Sequence, residues 1–201
     1  MTSANNNQTY ADSGSKILES LDQSHVIYTM VREHQLILET LSSLNTARIE
    51  LNAITEKEMD AERAKTILAL AHKVIGAENH HLREEQALFP KLREFGLSGP
   101  TNVMEMEHKA IRDYKRKLLE SAQEYENCSF KDYQSHLDFF IAGLTQMLAD
   151  HIHKENDILY PMALNTISDP EIWLDMRKKC DDIGYCSFTP DLGIELGKSD
   201  T

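Results

Sequence analysis

The sequence predicts an all-α fold: an up-down four-helix bundle followed by a short extra C-terminal helix. Three observations carry that expectation. Glycine and proline are scarce, 8 and 5 in 201 residues, which leaves few turns and therefore few, long helices. Apolar residues recur at helical spacing over most of the chain. The chain also repeats itself. His80, Glu84, Leu88, Phe89 and Pro90 return as His151, Glu155, Leu159, Tyr160 and Pro161, each displaced by 71 positions, and Glu33-His34 returns as Glu107-His108, displaced by 74. Two helix pairs of one design make four helices packed pairwise antiparallel.

Residues 1–15 are rich in Asn, Ser and Thr and read as a flexible N-terminal tail. The bundle is expected over 16–165 and the C-terminal helix and tail over 166–201. A first helix is expected from about His25 to Ile54, with Ile27, Met30, Val31, Leu38, Leu41 and Leu44 on one stripe and His34 among them. A second runs from about Glu56 to Phe95, kinked near Pro90 and closed by Gly96. Gly99-Pro100 is a turn signal separating the two halves. The third helix spans about Asn102 to Tyr125 and carries Met104, His108, Ile111 and Leu118 on one face. The fourth spans about Phe130 to Leu164, with Leu144, Met147, His151 and Leu159 near one stripe. A fifth opens at Asp169-Pro170, an N-cap with a first-turn proline, and ends at Gly184, after which Tyr185 to Thr201 is irregular.

Composition excludes several roles. Apolar residues at 41% and charged residues at 27% suit a globular protein rather than a disordered one. With 33 acidic against 21 basic side chains the net charge is −12, which repels a phosphate backbone, so neither nucleic acid nor an anionic membrane is an expected partner. No apolar run approaches the roughly 18 to 20 residues that span a bilayer, and Met1 to Ser15 lacks the apolar core of a signal peptide. Cys128, Cys180 and Cys186 are too few and wrongly spaced for a disulfide framework. The expectation is a cytoplasmic protein with reduced, inert thiols.

The chemistry lies in the repeat. Residues four apart on a helix are neighbours, so His80 with Glu84, and His151 with Glu155, can each present an imidazole and a carboxylate to one centre. His34 and His108 add one imidazole each from the other two helices. Six titratable groups in apolar stripes would cost several kcal/mol in desolvation, and a metal turns that cost into bonds. Imidazole with carboxylate suits iron, manganese or zinc, and two carboxylates suit a dinuclear centre. His81 with Glu85 has the same spacing, but its counterparts Ile152 and Asn156 are a poor ligand pair, so the repeat selects His80 and Glu84. His153 with Asp157 fails likewise, because the counterpart of His153 is Leu82. His25, His72 and His136 follow no such pattern and read as surface, capping or supporting residues.

The segments His-His-Leu-Arg-Glu-Glu-Gln-Ala-Leu-Phe-Pro (80–90) and His-Ile-His-Lys-Glu-Asn-Asp-Ile-Leu-Tyr-Pro (151–161), with Glu-His at 33–34 and 107–108, resemble the hemerythrin-like HHE cation-binding domain over about residues 20 to 165. The resemblance implies an up-down four-helix bundle holding two non-heme iron ions. It puts His34, His80, Glu84, His108, His151 and Glu155 at the metal-ligand positions. Within the family the pattern is similar to repair-of-iron-centres proteins and bacterial hemerythrin-like proteins. It departs from oxygen carriers, which have a His-x-x-x-His pair on the third helix and an Asp five residues after the last His. Here Arg112 follows His108 by four positions and Glu155 stands four after His151, so one His is missing and the ligand set is nearly two-fold symmetric. The expected ligands are a small diatomic molecule or peroxide, handled for oxygen, peroxide or nitric oxide chemistry or for donating iron to damaged iron centres, with a homodimer allowed. The alternative is a sensor or regulatory module whose di-iron state signals through the C-terminal tail, since Trp173 to Pro190 resembles the tail of some HHE proteins with a sensory module.

Overall fold

The computed structural model describes residues 14–190. Among them every regular element is helical and there is no strand, as the sequence predicts. In order these are α1 (14–20), α2 (Val26–Ala53), α3 (Ala61–Ile75), α4 (Glu78–Arg83), α5 (Phe89–Glu94), α6 (Ser98–Gln123), α7 (Phe130–Lys154), α8 (Tyr160–Thr166) and α9 (Pro170–Ile183). The expected tail at 1–15 lies outside the described residues up to 13, and residues 14 and 15 already belong to α1. The end of the C-terminal tail, 191–201, also lies outside them.

The expected first, fourth and fifth helices stand within two residues of their predicted limits. The second does not run unbroken from Glu56. Thr55 and Glu58 close a reciprocal cap around a short 3-10 turn, Glu56–Glu58, and Asp60 then caps α3 by accepting from the Arg63 amide at 2.9 Å. α3 stops at Gly76, where the helix loses the rigidity a side chain would lend, and α4 starts two residues later. Gly96, at φ +84°, ends α5 as expected. Gly99-Pro100 is not a separating turn but part of the first turn of α6, where proline's missing N–H would have no helical partner in any case.

The prolines act in a way that the periodicity does not show. The expected kink near Pro90 is a π-helical turn, Glu84–Leu88, and a second such turn, Glu155–Leu159, interrupts the fourth helix before Pro161, where the sequence predicts no break. A proline ring collides with the carbonyl four residues back and has no N–H to donate. Widening the turn by one residue relieves both problems, and the Phe89 and Tyr160 amides reach the carbonyls of Glu84 and Glu155, five residues back. The two carboxylates singled out by the repeat therefore each open a π turn.

The chain divides into two compact units, one formed by residues up to Leu36 with Glu78–Val103 and residues from Ile152, the other by Ile37–Ala77 with Met104–His151. The first has a core of Ile27, Met30, Val31, Leu88, Phe89, Leu92, Leu159 and Tyr160, closed by Met176 and Cys180 of α9. The Trp173 indole fixes the start of α9 by donating to the Ile167 carbonyl at 2.9 Å. The second packs Leu41, Leu44, Leu51, Ile67, Ile111, Leu118, Leu137, Ile141 and Leu144. There Arg48 bonds Asp138 at 2.8 Å and Gln134 donates to the Leu51 carbonyl at 2.8 Å, which sets α2 against α7.

Gly143 marks a close approach in this second unit. A Cβ there would lie 2.5 Å from Cε1 of Tyr114, whose ring also packs on Phe139 and Phe140 with centroids 6.5 and 6.1 Å away. Gly143→Ala is therefore expected to destabilise by about 1 kcal/mol or more, although alanine is the better helix former by roughly the same amount. Equilibrium urea unfolding checks this, and an unchanged or raised midpoint would show that the ring yields without cost.

Candidate metal centre

Four of the six predicted ligands meet inside the first unit. His34 comes from α2, His80 from α4, and Glu84 and Glu155 from the first residues of the two π turns. Each is at most 1% exposed, and their ligand atoms all lie within 4.8 Å of one another. His34 Nε2 stands 2.9 Å from His80 Nε2 and 3.1 Å from Glu155 Oε2, and His80 Nε2 stands 3.5 Å from Glu84 Oε2.

The protons show why this cluster suits a cation. His34 Nδ1 faces Asn156 Oδ1 at 2.9 Å, and His80 Nδ1 faces Glu33 Oε2 at 2.7 Å. Both partners are acceptors, so each neutral ring carries its proton on Nδ1 and points its Nε2 lone pair inward. Two lone pairs then oppose each other at hydrogen-bonding distance, beside two carboxylates. Either a proton or a metal ion must sit among them. Burial pushes His34 down, but the hydrogen bond and charge of Glu155, the charge of Glu84 and the Asn156 amide outweigh it and raise its pKa above the ordinary histidine value. The donor set is that of an imidazole–carboxylate metal site, and iron, manganese or zinc would fit it.

Supporting groups complete this part. Tyr160 stacks on His34, centroids 5.5 Å apart and planes 6° off parallel, and its hydroxyl donates to Glu84 Oε1 at 2.6 Å. That bond leaves Oε2 turned toward His80. Burial and the neighbouring carboxylates hold the Tyr160 phenol well above its usual range, so it stays a donor. Burial would raise Glu33, yet its hydrogen bond with His80, the charges of His80 and Arg83 and a bond from Thr189 hold it at about 2. It is ionised at any physiological pH.

The second unit repeats the motif. His108 Nε2 and His151 Nε2 are 2.9 Å apart, and His151 Nδ1 is fixed by Glu107 Oε2 at 2.8 Å. Within the first unit, then, His34, His80, Glu84 and Glu155 form a cluster, and within the second His108 and His151 form a pair.

Residues set aside on the sequence fall in different places. His72 and His136 are exposed, and His153 pairs with Asp157. His25 caps the start of α2, its Nδ1 accepting from the Ile27 amide at 3.2 Å, while its ring lies on Trp173. His81 is fully buried, its ring centroid 5.9 Å from that of His80. Cys180 and Cys186 are buried and unbridged, and burial raises them to about 11 and about 12, which keeps both as thiols. Sequence reasoning assigned no role to Glu33, Glu107, Asn156 or Tyr160. The repeated Glu-His pairs were the available signal for the first two. Asn156 is a poor metal ligand, which gives the sequence no reason to single it out, yet its Oδ1 accepts from the His34 ring.

Residues 19–163 match the family described as the hemerythrin HHE cation binding domain. Among curated relatives are the iron-sulfur cluster repair protein YtfE of Yersinia pestis (strain Pestoides F) and that of Yersinia pseudotuberculosis serotype O:1b (strain IP 31758). Each is 36% identical over 93 residues, which cover 42% of this chain and 40% of the relative. The match spans two fifths of the length of those proteins.

A pH dependence follows from His34. Its pKa is raised in the folded metal-free protein, so its stabilising contribution is present below the unfolded value of 6.5 and is lost as pH rises through the folded one. Metal binding requires the unprotonated ring and reverses that trend. The rise in melting temperature on adding ferrous ion should therefore grow between about pH 6 and about pH 8. Thermal unfolding with and without the ion across this range checks it, and an increment independent of pH would show that no proton is displaced.

Proposed function

The chain belongs to the hemerythrin HHE cation-binding family, and from that membership we propose that it is a non-heme di-iron protein of the cytoplasm that serves the repair of damaged iron centres. The observation that carries this reading is the opposed Nε2 pair of His34 and His80 between two buried carboxylates. The repeat supports a second ion. His34, His80 and Glu84 recur as His108, His151 and Glu155, giving two imidazoles and one carboxylate per half.

Iron held by these residues would supply one-electron redox chemistry toward a small ligand such as oxygen, peroxide or nitric oxide. The chain's own residues do the rest. Glu33 and Asn156 hold two imidazoles in the tautomer that offers Nε2. Tyr160 orients Glu84 through one oxygen. The four clustered residues are themselves no more than 1% exposed, and charge interactions are stronger at such buried positions than in water. The printed role of the Yersinia relatives, iron-sulfur cluster repair, is the support for choosing iron handling over oxygen storage. No helix among the described residues is long and apolar enough to cross a membrane, which agrees with the cytoplasmic reading.

Two measurements test the proposal. Elemental analysis should find about two irons per chain, with His80→Ala and Glu155→Ala each losing at least about half and His81→Ala losing little. The iron-loaded protein should restore activity to a [4Fe–4S] dehydratase damaged by nitric oxide, and His80→Ala should not. Full loading of His80→Ala with loss in His81→Ala would reverse the ligand assignment, and loaded protein without repair would remove the function.

A further inference from the structure

Gly184 closes α9 at φ +88° and ψ 177°, a conformation strained for any residue with a Cβ, and the chain then folds back onto the first unit. Several anchors hold it there. The Asn79 amide donates to the Tyr185 carbonyl at 3.1 Å. The Tyr185 ring lies against two guanidinium groups, Arg83 at 4.5 Å and Arg177 at 5.6 Å from its centroid, and its hydroxyl donates to Asp181. Cys186 is buried beside it. The Thr189 hydroxyl donates to Glu33 Oε1, while Glu33 Oε2 faces His80 Nδ1 and accepts from Arg83.

We propose that residues 184–190 are a working part of the metal centre, a strap that fixes His80 through Glu33, with Thr189 and Arg83 as positioning residues. The inference rests on the reading of His80 as an iron ligand. A carboxylate gripped on both oxygens cannot turn, so it holds the imidazole behind it in one tautomer and one direction. Arg83 is itself locked, donating from Nε to the Asn79 carbonyl at 3.1 Å with Tyr185 across its face. Stability alone does not call for this arrangement, because apolar side chains of similar volume usually serve a buried position as well as an ion pair does. Orientation of a ligand does call for it.

The strap also breaks the symmetry of the repeat. Glu33 is fully buried under it, whereas Glu107, which holds His151, is 25% exposed. The sequence between the two halves has no counterpart of α9 and its return segment. The two irons should therefore be held unequally, against the near-equivalence that the repeated ligands suggest.

The test uses the full-length, iron-loaded protein mixed with an excess of a ferrous chelator under reducing, anaerobic conditions, with iron content measured first. Wild type should release iron in two phases. Thr189→Val should speed the slower phase about tenfold, as loss of a group supporting a ligand does, and leave the faster one unchanged. Thr189→Ser, which keeps the hydroxyl, should restore the slow rate. Thermal unfolding of the metal-free variants separates a merely structural role. A Thr189→Val protein that melts lower but releases iron at wild-type rates would overturn the proposal, as would single-phase release unaffected by the substitution. Wild type that binds no iron would instead overturn the ligand reading on which it rests.

Discussion

Two imidazole nitrogens held 2.9 Å apart with their protons drawn to the far side of each ring are the constraint on which the rest of the first unit depends. In water such a pair would part or take up a proton. Here neither ring can leave, since His34 is stacked on Tyr160 and His80 is tied to Glu33. The carboxylates of Glu84 and Glu155 add negative charge to a place already rich in lone pairs. On our reading a metal ion held among these groups would offset their mutual repulsion, so that its binding would be linked to folding.

The π turns are the local means by which the helices meet that demand. A regular α-helix would continue the 100° step past Glu84 and Glu155. The prolines that follow prevent it, and the extra residue in each turn shifts the register of everything after it. Leu88, Phe89, Leu159 and Tyr160 are all buried beyond these turns. The same proline therefore ends one register with a carboxylate and starts the next with an aromatic wall. The aromatic residues that follow the two turns differ by one hydroxyl. Phe89 has no hydroxyl, whereas Tyr160 has one and spends it on Glu84, the carboxylate from the other half of the repeat.

Around the histidine–carboxylate cluster lies a layer of fixed charge that the apolar stripes give no reason to expect. Arg83 is 1% exposed and Glu33 is not exposed at all, and neither is affordable alone in such a place. Together with His80, Thr189 and Tyr185 they leave few donors or acceptors without a use. Networks of this kind rigidify when complete, which is the property a metal ligand needs from its neighbours. On our reading the C-terminal segment matters to the iron for this reason and not because it touches the metal.

Much of this was written in the chain itself. The scarcity of Gly and Pro, the helical spacing of apolar residues and the caps at Asp169 and Gly184 determined an all-α protein and the limits of α2 and α9, because these are local preferences of residues close in sequence. The internal repeat, displaced by 71 positions for His80, Glu84, His151 and Glu155 and by 74 for His34 and His108, singled out His34, His80, Glu84 and Glu155, which the structure brings together, and His108 with His151, which it pairs. Periodicity could not show the breaks at Thr55–Asp60 and Gly76, since a short capped interruption leaves the apolar pattern on either side intact. Nor could it show the π turns, which follow from a steric clash that helical averaging ignores. The direction of each ring proton was decided by Asn156 and Glu33, lying 122 and 47 positions from the rings they hold. The strap was decided by Thr189, 156 positions from Glu33. Hydrogen bonds over such distances depend on where helices are placed in space, and no local propensity encodes that.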